Sequence, residues 1–274
     1  MVESRYSSHP VDFKSYGTER IRQDFLISNL FKNDEISMVY SHYDRFIVGG
    51  VTPTSKDLHL TTFSEIKSEY FLERRELGII NIGESALIRI GEKEYILNNK
   101  ECLYIGKGEK EVIFLKSKGA KLYLCSAPAH ASFPVTKFTL QEAEPLDIGT
   151  ETNCNKRTVY KFIHQKGIQS CQLVMGMTVF QKGSTWNTMP CHKHDRRMEA
   201  YLYFDLAENE RVFHFMGEPQ ETRHILVANQ EAILSPPWSV HFGTATSNYS
   251  FIWAMAGENK DYTDMDMIEL KNLK

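Results

Sequence analysis

Residues 192–203 read His-Lys-His-Asp-Arg-Arg-Met-Glu-Ala-Tyr-Leu-Tyr. His192 and His194 are two positions apart, so on a strand both imidazoles leave the same face. Glu199 is five positions beyond His194, an odd step, and would point away if the strand continued unbroken. The polar residues between them suit a bend, after which Glu199 opens a second strand rich in β-forming residues. This stretch therefore predicts two strand segments whose ends bring three potential metal ligands together.

A third histidine, His241, follows the segment Ser235-Pro236-Pro237-Trp238. Prolines do not suit the middle of a sheet but suit a turn, so His241 is expected to come from a further strand. Three imidazoles and one carboxylate form a complete ligand set for a divalent transition metal. Two histidines at this spacing are common and can both be solvated, but Glu199, His241 and the β-pattern favour a metal site. We predict that His192, His194, Glu199 and His241 bind one metal ion.

Most of the remaining sequence consists of short runs of β-forming residues. Residues 87–90, 102–105, 122–124 and 173–175 are examples, and Gly, Asn and Lys residues separate such runs at close intervals. Many short strands between turn signals are typical of a β-sandwich or β-barrel. Helical patterns are confined to residues 18–31 and, more weakly, 139–144. The sequence therefore predicts an all-β protein.

Three short matches, each 130 residues apart, indicate an internal repeat. Residues 99–103 match 229–233, residues 122–123 match 252–253, and residues 69–72 match 199–202. Turn-forming residues near 140–155 interrupt the strand pattern, so we predict two tandem β-domains, residues 1–145 and residues 146–274. At the same spacing the four candidate ligands correspond to Thr62, Ser64, Glu69 and Glu111. The N-terminal copy lacks the imidazoles and is predicted to be degenerate, without metal.

Composition limits the classes of function. The chain has 274 residues, is 42% hydrophobic and 24% charged, and carries a net charge of −3, which argues for a globular protein and against a nucleic-acid partner. No apolar run is long enough for a membrane span, and the polar N-terminus lacks a signal-peptide pattern, so a cytoplasmic location is expected. Five cysteines without a CxxC pair argue against a disulfide framework. Cys191 should face away from His192 on a strand and is expected to serve packing.

Longer segments of the chain carry a family resemblance. The first cupin motif appears as Gly183…His192-x-His194-x4-Glu199, and the second surrounds Pro236–His241. The chain resembles the 5-keto-4-deoxyuronate isomerases, a family of bicupins, from about residue 24 to residue 266. The segments that resemble this family most are Met38–His42, Tyr70–Gly78, Trp186–His192, Pro219–His224 and Phe251–Trp253.

The resemblance implies a fold of two tandem cupin domains, which are jelly-roll-like β-barrels. It also implies one Zn²⁺ per chain on His192, His194, Glu199 and His241, and a cytoplasmic homohexamer. The implied activity is an aldose–ketose isomerisation in pectin and glycosaminoglycan breakdown. In it, 5-dehydro-4-deoxy-D-glucuronate, a small-molecule uronate, becomes 3-deoxy-D-glycero-2,5-hexodiulosonate.

A uronate substrate needs a partner for its carboxylate, and Arg forms bidentate pairs with carboxylates. The candidates are Arg157, Arg196, Arg197 and Arg223, of which Arg197 and Arg223 lie in or beside the resembling segments. The alternative for Arg196 and Arg197 is an exposed pair in a loop. Candidate general bases are Glu218, Glu221 and His224, and His214 is expected near the substrate or in a structural role.

Two other functions fit the same ligands. A cupin with three His and one Glu is also typical of iron dioxygenases, which an oxygen requirement would distinguish from an isomerase. A sugar-binding or regulatory cupin is the second alternative. It would need a separate effector domain, and the sequence contains no stretch with that pattern.

Overall fold

The computed structural model of the chain describes residues 2–258, 260–261 and 263–274. Nearly all of its regular structure is β-strand, so the prediction of an all-β protein is confirmed. The described helices are short, and none has the length and apolar character needed to cross a membrane. The helix predicted from residue 18 ends at Phe25, where the chain enters a strand, and residues 139–144 form a turn instead of a helix.

The described part of the chain contains the following elements. The helices are α1 (Pro10–Phe13), α2 (Thr18–Phe25) and two 3₁₀ turns (Ser64–Ile66 and Leu270–Asn272). The strands are β1 (Val2–Arg5), β2 (Leu26–Ile27), β3 (Ile36–Ser41), β4 (Ile47–Val51), β5 (Leu58–His59), β6 (Arg75–Asn81), β7 (Ala86–Ile90), β8 (Lys93–Leu97), β9 (Cys102–Ile105), β10 (Val112–Leu115), β11 (Leu122–Pro128), β12 (Thr136–Phe138), β13 (Leu146–Ile148), β14 (Arg157–Ile163), β15 (Val174–Phe180), β16 (His192–Lys193), β17 (Arg197–Phe204), β18 (Val212–Glu218), β19 (Glu221–Val227), β20 (Glu231–Ser235), β21 (Val240–Ala245), β22 (Ser250–Gly257) and β23 (Asp266–Met267).

The chain divides into two compact units. Unit 1 comprises the residues up to Arg5, Asn29–Glu144 and Phe162–Met175. It contains a seven-stranded sheet in the order β1-β3-β4-β11-β6-β9-β12 and a four-stranded sheet in the order β5-β10-β7-β8. One apolar cluster draws residues from both sheets, among them Ile79 and Leu103 from the first and Ile88 and Phe114 from the second. Unit 1 is therefore a β-sandwich whose core lies between its two sheets.

Unit 2 comprises Tyr6–Ser28, Pro145–Lys161 and Gly176–Lys274. Its strands belong to a seven-stranded sheet ordered β13-β14-β15-β22-β17-β20-β2, a three-stranded sheet β19-β18-β21 and the pair β16-β23. Every residue of β17 and of β22 is buried, as expected for strands paired on both edges and covered on both faces. Gly176 of β15 permits this packing, because a Cβ there would lie 2.2 Å from the ring of Trp253.

The loops before β9 and β20 support the predicted repeat. The carboxylate of Glu101 accepts a hydrogen bond from the backbone N–H of Asn98, and Glu231 accepts the same bond from Ala228, both at 2.8 Å. These residues are 130 positions apart, as in the first of the three sequence matches. The two seven-stranded sheets also share the neighbour orders β4-β11-β6-β9 and β15-β22-β17-β20. The division into tandem domains at residue 145 stays a prediction.

The third sequence match, residues 69–72 with residues 199–202, does not align equivalent strands of the two units. Glu199 of β17 pairs with Ser235 and Met255, and the residues 130 positions earlier, Ile105 and Cys125, pair with Leu77 and Gly78 of β6. The place of Glu199 in unit 1 therefore falls at residues 77–78. Glu69 lies in a bend before β6 and is not the counterpart of Glu199. The reason is the hairpin between the paired strands: β18 and β19 have seven residues each, whereas β7 and β8 have five. A constant spacing of 130 residues therefore cannot align both the strands before these hairpins and the strands after them.

Candidate metal centre

Three strands of unit 2 and the turn between two of them position the four predicted ligands. His192 begins β16, and His194 follows directly after this strand. The chain turns at residues 195–196, so the predicted bend is present, and Glu199 then lies in β17. His241 comes from β21, after the Pro236-Pro237 turn. The odd spacing between His194 and Glu199 would put the two side chains on opposite faces of a continuous strand. The turn interrupts the strand, so both side chains can point to the same site.

The four side chains converge. One potential ligand atom from each of His192, His194, Glu199 and His241 lies within 4.8 Å of all the others. Glu199 Oε2 is 3.0 Å from His194 Nε2 and 2.9 Å from His241 Nε2. His194, Glu199 and His241 are at most 4% exposed. The arrangement is a nearly closed pocket of three nitrogen donors and one carboxylate.

The second nitrogen of each imidazole faces a backbone carbonyl. His194 Nδ1 lies 3.1 Å from the oxygen of Arg197, and His241 Nδ1 lies 3.3 Å from that of Ser239. His192 bonds the backbone of Pro190, which has only a carbonyl to offer. A carbonyl accepts hydrogen bonds, so each of these nitrogens carries the proton and the other nitrogen presents its lone pair to the cluster.

The positions of these ring protons indicate whether a metal ion fits between the four side chains. In the neutral rings, the lone pairs of His194 Nε2 and His241 Nε2 face the Glu199 carboxylate, which also only accepts hydrogen bonds. Such close contacts between acceptors are unfavourable unless a cation or extra protons separate them. A divalent ion bound to all four groups supplies that positive charge. The donor set fits an imidazole-preferring transition metal.

The pKa shifts of Glu199 and His192 are consistent with a metal site. Burial alone would raise the pKa of Glu199, but its close contacts with the His241 and His194 rings hold that pKa well below its usual range. Burial, together with the proximity of His241, lowers the pKa of His192 to about 3. Near neutral pH the cluster therefore offers an ionised carboxylate and a neutral His192 imidazole, the forms in which these groups bind metals.

A cavity of about 200 Å³ opens beside the cluster. His192 and Glu199 line it, together with Arg157, Arg197 and Tyr201. The hydroxyls of Tyr201 and Thr188, which also lines the cavity, lie 3.2 Å apart. The apolar part of the lining consists of Ile148, Val159, Met189, Pro190, Phe251, Trp253, Met255, Met265 and Met267. An apolar wall with a few convergent polar groups is typical of a small-molecule site.

The C-terminal residues 263–274, here called the C-terminal strap, close one side of this site. β23 of the strap pairs with β16, with Met267 opposite His192. Asp264 makes ion pairs with Arg196 and with Arg197, whose Nη2 lies 2.9 Å from Asp264 Oδ1. Arg197 is 1% exposed, so the alternative of an exposed loop pair does not hold for it. No role was predicted for this segment, although the polar–apolar alternation of residues 264–267 is a strand signal.

The other residues singled out from sequence lie elsewhere in unit 2. Glu218 pairs with Lys14 at 2.7 Å, Arg223 pairs with Glu221 at 2.7 Å, and His224 is exposed. Among the described residues, the lining of the cavity includes none of these. His214 is fully buried, and its Nδ1 lies 2.8 Å from the hydroxyl of Tyr203. The catalytic roles of Glu218 and Arg223 stay predictions.

The cysteines behave as expected from their spacing. All five are free thiols. Cys191 is fully buried and packs with Val240 and Phe242, which confirms the predicted packing role. Burial raises its pKa to about 11, so the side chain is a neutral thiol near neutral pH.

Comparisons with known proteins agree with this architecture. An IolB-like protein from Salmonella typhimurium LT2 aligns with a TM-score of 0.67 at 14% identity, over 89% of this chain and 96% of that one. A mutant of oxalate decarboxylase from Bacillus subtilis aligns with a TM-score of 0.56 at 10% identity, over 81% and 71% of the two chains. At these identities the likeness concerns the fold, and it supports the predicted cupin-like architecture.

Full-length relatives are much more similar in sequence. The 4-deoxy-L-threo-5-hexosulose-uronate ketol-isomerase of Oceanobacillus iheyensis is 52% identical over 277 residues, covering 100% of both chains. The enzyme of the same name from Bacillus subtilis is 51% identical over 275 residues with the same coverage. The profile of the KduI/IolB family matches residues 25–271. Since this match spans nearly the whole chain, the protein belongs to the KduI/IolB family.

Proposed function

We propose that this protein is a zinc-dependent ketol-isomerase that converts 5-dehydro-4-deoxy-D-glucuronate to 3-deoxy-D-glycero-2,5-hexodiulosonate. The observation that carries the proposal is the buried cluster of His192, His194, Glu199 and His241 at the edge of a cavity. The ketol-isomerases that are about half identical to this chain over their whole length support the reaction class. In this reaction one proton moves from C2 of the sugar acid to C1 and another from the C2 hydroxyl to the C1 oxygen, so the C1 aldehyde becomes a primary alcohol and the C2 alcohol becomes a ketone.

The four side chains would hold one zinc ion per chain. Zinc suits three imidazoles and a carboxylate, and it has no redox chemistry, which favours isomerisation over oxygenation. When bound, the metal supplies Lewis acidity to the oxygens of the reacting carbons. His192 and Glu199 lie both in the cluster and in the cavity lining, so a substrate in the cavity would lie next to the metal site.

The remaining cavity residues orient and enclose the substrate. The paired hydroxyls of Thr188 and Tyr201 offer hydrogen bonds to substrate hydroxyl and carbonyl oxygens. Phe251, Trp253 and Met255 form an apolar wall that excludes water from the reacting carbons. Arg197 is fixed by Asp264 and connects the cavity with the C-terminal strap.

We also propose that the enzyme acts in the cytoplasm as a homohexamer of chains that each contain two cupin domains. The family resemblance supports both this assembly and this location. The uronate would derive from pectin or glycosaminoglycans. Sedimentation analysis of the purified protein tests the assembly.

The proposed activity is tested by an anaerobic proton-NMR time course with 5-dehydro-4-deoxyglucuronate, with and without prior removal of metal by a chelator. We expect conversion to the 2,5-diketo acid in the absence of oxygen. Conversion should stop after chelation and recover when zinc is restored. Conversion that persists in protein shown to be metal-free would remove the metal from the chemistry. No conversion by metal-loaded protein would refute the isomerase and leave oxygen consumption as the next measurement.

A further inference from the structure

The two arginines in the cavity lining have different surroundings. Arg197 is fully buried, pairs with Asp264 and donates a hydrogen bond to the carbonyl of Asp261 at 2.6 Å. Its charge is therefore matched inside the protein, and its position is determined by the C-terminal strap. A substrate carboxylate would have to compete with Asp264 for this guanidinium.

Arg157 is the first residue of β14 and is half-buried. Its Nη1 donates a hydrogen bond to the carbonyl of Asn155 at 2.7 Å, and its guanidinium carbon lies 5.9 Å from the centre of the Phe180 ring. The backbone at Arg157 pairs with Ile148 of β13, another cavity residue. A sheet position, a carbonyl and an aromatic ring thus hold the planar guanidinium at the cavity, which limits the entropy lost when it binds a ligand.

From these observations we infer that Arg157 binds the carboxylate of the sugar-acid substrate and selects acid sugars over neutral ones. The inference rests on the proposed function and assigns one residue within it. A guanidinium has five N–H donors, and a bidentate pair with a carboxylate uses two of them. In a uronate, the carboxylate and the isomerising carbons lie at opposite ends of a six-carbon chain. A substrate held at the metal cluster by one end therefore needs a cation for the other end within the same cavity.

The position of Arg157 predicts an effect on binding more than on chemistry. The carboxylate does not change during isomerisation, so a contact with it stabilises the ground state and the transition state equally. Loss of such a contact raises KM and leaves kcat nearly unchanged. A neutral sugar gains nothing from Arg157 and should be insensitive to its removal.

The test compares Arg157→Gln and Arg157→Lys with the control Arg211→Gln. Arg211 is also half-buried and also donates its Nη1 to backbone carbonyls, those of Glu208 and Glu210, but it is not a cavity residue. For Arg157→Gln we expect KM for the uronate to rise roughly 10- to 100-fold, as for the loss of a charged hydrogen-bond pair, with kcat within about threefold of wild type. Arg157→Lys should give an intermediate KM, and Arg211→Gln should match wild type.

A second measurement does not depend on turnover. Trp253 lines the cavity, so tryptophan fluorescence can report binding of D-galacturonate and of its neutral counterpart D-galactose. The inference expects Arg157→Gln to weaken galacturonate binding and to leave galactose unchanged, with normal metal content. Equal affinities of wild type and Arg157→Gln for galacturonate, or an unchanged KM in an active enzyme, would overturn it. Failure of wild type to isomerise would count against the proposed function alone, since the binding comparison still decides the role of Arg157.

Discussion

Replacing His241 by alanine removes the nitrogen that lies 2.9 Å from Glu199 at the centre of the cluster. Loss of even an outer-shell partner typically weakens metal binding about 10- to 100-fold, so loss of a ligand should weaken it by at least roughly 100-fold. We expect metal analysis of dialysed protein to give about one zinc per chain for wild type and much less for His241→Ala. The control is His59→Ala, because His59 is exposed and lies in unit 1. Full zinc occupancy in His241→Ala would contradict the proposed site.

His214 should make stability depend on pH. Burial, and secondarily the proximity of His241, lowers its pKa to about 3 in the folded protein, against an ordinary value of 6.5. Between these values the unfolded chain binds a proton and the folded chain does not, so stability is full above pH 6.5 and falls as the pH decreases. From pH 7 to pH 5 the contribution of His214 is a loss of about 2 kcal/mol.

Urea unfolding of metal-free protein at pH 7 and pH 5 checks this effect. His214→Phe removes the titrating group and keeps a ring in its place, so its stability should fall less between the two pH values than that of wild type. The difference between the two proteins isolates His214, because all other titrating groups are common to both. Identical pH dependence in both proteins would show that this imidazole is not held neutral by burial.

At the scale of elements, the C-terminal strap is predicted to depend on the ion pairs that Asp264 makes with Arg196 and with the buried Arg197. Asp264→Asn leaves the guanidinium of Arg197, 2% exposed, without its anion. Breaking a buried pair typically costs about 3–5 kcal/mol, and since Asp264 is 18% exposed we expect roughly the lower value. Hydrogen exchange should accelerate in residues 263–274 and in the paired strand β16, and the unfolding midpoint in urea should fall.

The matched control for this variant lies in the same strap. Glu269 pairs with Lys271, and both side chains are at least two-thirds exposed. Glu269→Gln should change stability by less than about 1 kcal/mol, because exposed ion pairs contribute little. If both substitutions had the same small effect, the Arg197–Asp264 pair would not be what holds the strap in place.

The elements also show how far sequence reasoning reaches. Alternation along a strand and the bend after His194 are local properties, so they predicted the strand ends on which His192, His194 and Glu199 lie. The strap could not be predicted in this way, because Asp264 and Met267 reach β16 and β17 only through pairings distant in the chain. Likewise, a fixed spacing misplaced Glu69, since strand register depends on hairpin length.

At the scale of the whole molecule, sequence patterns indicated the all-β class but not the path of the chain. Residues 6–28 belong to unit 2, although residues on both sides of them belong to unit 1. Phe13 shows why: its ring lies 5.6 Å from that of Phe25 and 5.2 Å from that of Trp238. The sequence around Phe13 is polar, and its pattern does not predict a contact with a residue as distant in the chain as Trp238. The units thus differ from contiguous halves of the chain.

Metal removal should therefore destabilise one unit more than the other. The candidate ligands and all three tryptophans, Trp186, Trp238 and Trp253, lie in unit 2. A metal present at 100 times its Kd stabilises the folded form by about 2.7 kcal/mol, and for a domain of this size that corresponds to roughly 5–10 °C in Tm. We expect chelation to lower the Tm seen by tryptophan fluorescence by this amount. Far-UV circular dichroism, which reports strands in both units, should then resolve an additional transition that chelation leaves in place. If chelation lowered the Tm from fluorescence and every transition seen by circular dichroism equally, the two units would unfold in one cooperative transition. If chelation changed neither, the proposed ligands would not hold a metal that stabilises the fold.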